Sequence, residues 1–477
     1  MLMLYGLNSY VMIFLYKKGF KKAAIKRRDI LDSFDFYKNS DRLPFVTTQI
    51  PVFNEYNVAE RIIRYVCDMK YPKGRHEIQV LDDSNDETIQ LINSIADELS
   101  GKGYQIKVIR RKDRTGFKAG ALAEGMKTAK GEFIAVFDAD FVPPGDYLLK
   151  TIPFFLDDKN LGLVQARWGH LNRKSSLLTR AQSLGIDGHF MIEQSARNWG
   201  GLFMNFNGTA GIWRKEAIID GGGWEWDTLT EDMDLSYRVQ FKGWETIYLP
   251  DLIVPAEIPE DINAFKSQQF RWAKGSVETA IKLFPSLLRM EIPLFKKIEA
   301  FFHLTHYFVH PFMLILAIFA LPVMILLENG PGPILFFLLA VILFLSMSAP
   351  SSLYIMSQKA AYKNWISRIL WIPVLIVIGT GIAISNSMAV FEAVIGKKSD
   401  FIRTPKKGDS QQKIYKAVLP VSALVEIAVG IYCTFSFAAY ISHEKYLICP
   451  FLAIYAAGFL CTGFLTLLHL RSGYLNP

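Results

Sequence analysis

Phe133-Ile134-Ala135-Val136-Phe137-Asp138-Ala139-Asp140 is the stretch on which the fold turns. A short apolar run suits a strand buried in a sheet, and two carboxylates one residue apart follow it at once. In open α/β sheets, ligands sit beyond the carboxyl ends of the strands. A pair of acids there can hold a hard divalent cation and leave positions for phosphate oxygens. Asp-x-Asp alone is common in solvated turns; its place directly after an apolar strand gives it weight.

Outward from this strand, β-rich runs alternate with helical patterns. They are Phe45–Ile50 then Asn57–Met69, Glu77–Leu81 then Glu87–Leu99, Gln105–Ile109 then Phe117–Ala129, Phe133–Phe137 then Tyr147–Leu156, and Leu161–Ala166. The alternation predicts βαβ units over residues 44–273: an α/β domain with a mostly parallel sheet and helices on both faces. Asn54-Glu55, Asp82-Asp83 and Asp138-x-Asp140 each follow a strand, so all should gather at one rim.

The flanks differ in texture. Half of the 477 residues are apolar and mean hydropathy is +0.19. Leu304–Leu327, Pro331–Gln358 and Leu447–Leu470 contain no Asp, Glu, Lys or Arg, and Ala417–Ile441 contains only Glu426. Each is long enough to cross roughly 30 Å of hydrocarbon as a helix. Residues 1–16 read as a short N-terminal membrane helix, 17–43 as a basic linker, and 274–300 as amphipathic helices in the interface. Residues 301–477 read as an α-helical transmembrane bundle. Ile369–Ile395, broken at Gly379-Thr-Gly381 and carrying Glu392, reads as interfacial or re-entrant. Glu426, inside an apolar run, reads either as a functional acid, such as one lining a path through the helices, or as a group near a run's end that snorkels to the interface.

The net charge is +8. Lys and Arg gather beside the apolar runs, after residue 16 and over 397–416, as the positive-inside rule expects. That makes a lipid bilayer the partner, with no nucleic acid. It also predicts an integral protein of the plasma or inner membrane whose α/β domain is cytoplasmic. The four cysteines show no disulfide or zinc spacing.

Three further motifs carry chemistry. Thr230-Glu231-Asp232 opens a helix, with Thr230 as candidate N-cap; Asp232 could serve as a general base toward a hydroxyl. Gln268-x-x-Arg271-Trp272 combines a guanidinium for a diphosphate with an indole platform for a sugar ring. Arg114-Thr-Gly116-Phe-Lys118 is a glycine turn leading into a helix, and Lys118 adds charge for a phosphate. Asp83 could accept hydrogen bonds from a nucleobase or ribose.

In this order the motifs resemble the family 2 glycosyltransferases of the cellulose, chitin and hyaluronan synthase group. The resemblance is closer to the plant cellulose-synthase-like A and C groups, which make mannan and xyloglucan backbones. It runs through Gln79-Val-Leu-Asp-Asp-Ser84, Gly116-Phe-Lys-Ala-Gly-Ala-Leu122, Val164-Gln-Ala-Arg-Trp168 and Phe206-Asn-Gly-Thr-Ala-Gly-Ile-Trp-Arg214. It implies a GT-A domain and an inverting, processive transfer from GDP-mannose or UDP-glucose to a carbohydrate acceptor. The product would be a β-1,4-mannan or β-1,4-glucan passed into the membrane. The alternative is a single transfer to a lipid-linked acceptor of ceramide or polyprenyl phosphate type.

Roles follow from the resemblance. Asp232, with Glu231, would be catalytic. Asn54, Glu55, Asp83, Lys118, Asp138, Asp140, Gln268 and Arg271 would bind the donor, with Asp138 and Asp140 holding Mg2+ or Mn2+. Trp272, Gly208 and Thr209 would bind the acceptor. Phe401, Thr404 and Lys406 resemble a gating loop, although Arg403 and Pro405 depart from the usual pattern.

Overall fold

The computed structural model describes residues 1–34, 43–326, 332–398 and 421–475. The gating-loop residues Phe401, Thr404 and Lys406 lie outside the described residues.

Seven strands form one sheet: β1 (Val46–Val52), β2 (His76–Asp82), β3 (Gln105–Ile109), β4 (Phe133–Val136), β5 (Leu161–His170), β6 (Gly211–Arg214) and β7 (Glu245–Ala256). Their order is β3-β2-β1-β4-β6-β5-β7. β6 runs against both of its neighbours, and every other pairing is parallel. The five strands expected from the sequence are present; β6 and β7 were not anticipated. β6 is short and lies among loops, so its alternation carries little signal.

Helices cover both faces, so strand residues are buried on either side, polar ones such as Thr48, Gln49 and Gln79 included. One face packs against α2 (Tyr56–Cys67), α3 (Thr88–Gly101) and α5 (Tyr147–Asp157) through Ile50, Ile62, Ile92 and Phe155. The other packs α4 (Phe117–Thr128) with Leu122, Val136, Trp213 and Leu235. Helices α6 (Leu177–Asp187), α7 (Gln194–Trp199), α8 (Lys215–Asp220) and α9 (Glu231–Phe241) complete the domain.

α10 (Ile262–Arg289) and α11 (Leu294–Thr305) lead to α12 (Val309–Leu326) and α13 (Pro333–Ala361). The short α14 (Trp365–Ile369), α15 (Ile372–Gly381) and α16 (Ala383–Val394) precede α17 (Val421–Ser442) and α18 (Cys449–Leu475). Among the described residues, four helices are long and apolar enough to cross a membrane: Leu294–Leu326, Ile334–Ala361, Ser422–Ser442 and Cys449–His469. The doubtful run Ile369–Ile395 is a pair of helices bent by 45° at Ile382.

Two expectations need revision. The N-terminal segment is one helix, α1 (Leu2–Ser33), so residues 17–33 continue it rather than forming a linker. It is not among the four apolar spans, and its first half lies along α13. Among the described residues Glu426 is not open to a channel: its carboxylate is fully buried and pairs with Lys266 Nζ of α10 at 2.6 Å.

Candidate active site

The carboxyl ends of β1, β2 and β4 open into one cleft, and residues from well-separated parts of the chain line it. Glu55, Asp83, Lys118, Asp138 and Asp140 come from the sheet rim. Gly208 comes from the approach to β6, Glu231 and Asp232 from the first turn of α9, and Gln268, Arg271 and Trp272 from α10. Acids and an indole more than 200 positions apart in sequence thus meet over one space.

Lys118 is the hub. Its Nζ donates to the Asp138 carboxylate and, at 2.9 Å, to the carbonyl of Gly208. Burial pulls its pKa down, but Asp138, Glu231 and Asp232 around it outweigh that and raise it. Gly208 has φ +80°, and a Cβ there would lie 3.1 Å from Asp232 Oδ2 and 3.4 Å from Lys118 Nζ. Glycine is needed both for the left-handed backbone and for this approach.

Burial raises the pKa of Glu231. Asp232 is pushed up to about 7, first by burial and then by the Glu231 charge beside it. Asp232 Oδ1 accepts from Met233 N–H at 2.8 Å. Thr230 stands at the N-cap position, but its hydroxyl pairs with Thr279 Oγ1 at 3.1 Å rather than capping α9. α10 is thereby fastened to the start of α9. Gly275 makes this fit, because a Cβ on it would meet Thr230 N at 2.8 Å.

Trp272 faces the cleft beside Trp168, with ring centroids 6.5 Å apart, and Trp168 packs on Phe141 at 5.2 Å and Phe190 at 5.0 Å. On its other side Trp272 joins Tyr307 and Val390 of the membrane-side helices. The indole therefore sits where the cleft meets the bundle.

Two expected contacts are displaced. Thr209 is fully buried behind the cleft and accepts a hydrogen bond from Asp138 N–H at 2.8 Å, so it positions Asp138 instead of reaching an acceptor. Asn54 is outside the lining; its side chain donates to Asn85 Oδ1 at 2.8 Å, spanning the loops after β1 and β2.

Arg111 was missed. Its Nε donates to Asp83 Oδ1 at 3.0 Å and its Nη2 to Oδ2 at 2.5 Å. The same guanidinium holds the carbonyls of Thr115 at 2.7 Å and Phe117 at 2.9 Å. It ties Asp83 to a turn in which Gly116 and Phe117 both have positive φ and which leads directly to Lys118. An Arg-Arg pair in a basic loop carries no signal in sequence.

Asp138 and Asp140 both line the cleft, and their oxygens are the hard donors that Mg2+ or Mn2+ favours. Another acidic cluster, Glu225, Asp227 and Asp234, has its carboxylate atoms within 4.8 Å of one another. There Lys282 Nζ already contacts all three, at 2.6, 2.7 and 3.1 Å.

The sequence profile described as "Glycosyltransferase like family 2" matches residues 44–275. Over 471 residues the chain is 34% identical to probable glucomannan 4-beta-mannosyltransferase 10 of Arabidopsis thaliana, covering 95% of this chain and 83% of that one. The chain belongs to glycosyltransferase family 2. This family 2 enzyme is also 44% identical to probable glucomannan 4-beta-mannosyltransferase 7 of Oryza sativa over 268 residues, 55% of this chain but only 46% of the relative. Its fold is shared with a mannosyltransferase from Pyrobaculum calidifontis solved in complex with GDP-Man and Mn2+. That likeness has a TM-score of 0.50 and 18% identity, and covers 82% of this chain and 99% of the other.

Proposed function

We propose that this membrane glycosyltransferase polymerises a β-1,4-linked mannan or glucomannan backbone by repeated, inverting transfer of mannosyl units from GDP-mannose. The observation that carries the proposal is the convergence of Asp140, Asp232 and Trp272 on one cleft at the junction with the membrane helices. The names of the plant relatives favour mannose over glucose as the transferred sugar.

In this reading the donor lies over the strand ends. Asp83, fixed by Arg111, accepts hydrogen bonds from the nucleoside. Lys118 and Arg271 face the diphosphate, and Gln268 lies one helical turn before Arg271. Asp138 and Asp140 would hold Mg2+ or Mn2+, which when bound neutralises diphosphate charge. Trp272 offers its flat face to the acceptor sugar. Asp232 takes the acceptor hydroxyl's proton as that oxygen bonds to the anomeric carbon and the bond from that carbon to the phosphate oxygen breaks. The nucleoside diphosphate leaves with the bonding electrons. Lys118 and Arg271 stabilise this charge, and such preorganised stabilisation is expected to be the largest electrostatic contribution. The cleft-bearing domain would face the cytoplasm.

Purified protein incubated with Mn2+ or Mg2+ and radiolabelled GDP-mannose, GDP-glucose or UDP-glucose, followed by product sizing, tests this. The expected product is a polymer degraded by β-mannanase. A product extended by one sugar, or one soluble in organic solvent as a glycolipid, overturns processivity.

A further inference from the structure

The first helix carries a feature the reaction does not use. Between residues 17 and 28, α1 turns Lys17, Lys18, Lys21, Lys22, Lys26 and Arg28 outward, while Tyr16, Arg27 and Ile30 face inward. No Asp or Glu occurs before Asp29. The inward face is fastened to the catalytic domain. Gly19 packs so closely on Trp199 that a Cβ would lie 2.5 Å from that residue's own. Arg27 stacks over Trp199 at 5.3 Å and pairs with Asp251 of β7 at 2.9 Å.

The level of these cations relative to the bilayer follows from α13. The two helices run side by side in the same direction. Gly6 meets Ser346, Tyr10 Oη donates to Ser348 Oγ at 3.1 Å, and Met12 and Tyr16 cluster with Leu353. The apolar run of α13 ends at Met356, before Ser357-Gln358-Lys359. Lys17 therefore stands where α13 leaves the hydrocarbon. Lys18, Lys21 and Lys22 follow within roughly 7.5 Å of helix rise, about one Debye length at physiological salt. Near the same end of α13, Lys359 lies over Trp365 at 5.9 Å and Arg180 over Trp371 at 4.9 Å. Ile366 and Leu370 are exposed beside them. Aromatic rings with cations at one level mark a membrane–water interface.

We propose that the outward face of α1 docks on the headgroups of anionic phospholipids through Lys17, Lys18, Lys21 and Lys22. Charge complementarity and continuity with the bilayer level select this occupant. Phe20 and Ile25, exposed among the cations, select it over a soluble polyanion, which would leave them in water. Because the inward face of α1 is tied to Trp199 and Asp251, the contact holds the cleft at a fixed height above the lipid. None of this depends on which sugar is transferred.

The test reads lipid, not activity. Full-length protein is placed in nanodiscs of phosphatidylcholine and phosphatidylglycerol in equal parts, and retained lipid is measured by native mass spectrometry at low and high salt. Wild type is expected to enrich phosphatidylglycerol several-fold at low salt, and high salt or the K17Q/K18Q/K21Q/K22Q variant abolishes the enrichment. The same lipid ratio for wild type and variant overturns the proposal. Should the variant not fold, acetylation of the four lysines in wild type decides. Protection in anionic but not in neutral nanodiscs supports the surface. Equal labelling in both overturns it, as does stronger protection by soluble heparin than by anionic lipid.

Discussion

Asp232 and Glu231 place two carboxylates in the first turn of α9, and burial makes their joint ionisation costly. A base held near 7 matches the working pH of a general base. With Asp232 as base, kcat/KM should rise as pH increases through about 7, because the ionised form is the active one. A flat profile between pH 5.5 and 8 would remove Asp232 from that role. Asp232→Asn should cut transfer by about 10²–10⁴-fold while titration calorimetry still shows binding of the nucleoside diphosphate. Arg111 acts through Asp83 and the turn before Lys118. Arg111→Gln should raise the donor KM about tenfold or more, the scale of one lost charge-assisted hydrogen bond, with a smaller effect on kcat. Arg111→Lys, which keeps the charge but not the fork, should recover little. A uniform fall in kcat with donor KM unchanged would make Arg111 merely structural.

Among the elements, α10 matters most to the site. Its first half carries Gln268, Arg271 and Trp272, and Gly275 lets the same helix lie against Leu229 and Thr230, just before the candidate base. Gly275→Ala would set a methyl 2.6 Å from Thr230 Cγ2 and 2.8 Å from Thr230 N, and backbone must move to relieve it. Overpacking of this kind costs about 1–3 kcal/mol, so the melting temperature should fall by a few degrees and transfer by about tenfold. Gly379→Ala, whose new methyl would meet no atom of another element within 4 Å, is the neutral control. Equal behaviour of the two variants would show that this contact sets neither stability nor rate.

Across the whole molecule, buried polar contacts join the catalytic domain to the bundle. Lys266 of α10 pairs with Glu426 of α17, and its Nζ reaches Ser422 Oγ at 3.3 Å and Thr466 Oγ1 at 3.4 Å. Asp187, at the end of α6, receives His170 of β5, Gln358 of α13 and Arg368 of α14 at 3.0 Å each. Breaking a buried pair leaves an uncompensated charge at a cost of about 3–5 kcal/mol. Lys266→Met should therefore lower the thermal midpoint sharply, and the double variant K266M/E426L should recover most of the loss. If the double variant is as unstable as the single one, the pair does not couple the two parts.

The strand ends were legible because acids placed directly after short apolar runs, in a chain of alternating strands and helices, gather at the carboxyl rim of a parallel sheet. The membrane helices were equally legible, since long uncharged runs have no comparable alternative in water. Local sequence therefore determined the α/β domain, the bundle and most of the candidate acids. Only the tertiary structure decided that Thr209 supports Asp138 from behind, that Arg111 braces Asp83, and that Glu426 meets Lys266 instead of lining a path. Each of these depends on contacts between segments tens to hundreds of residues apart. Periodicity reports which face of an element is buried, but not which distant side chain it is buried against.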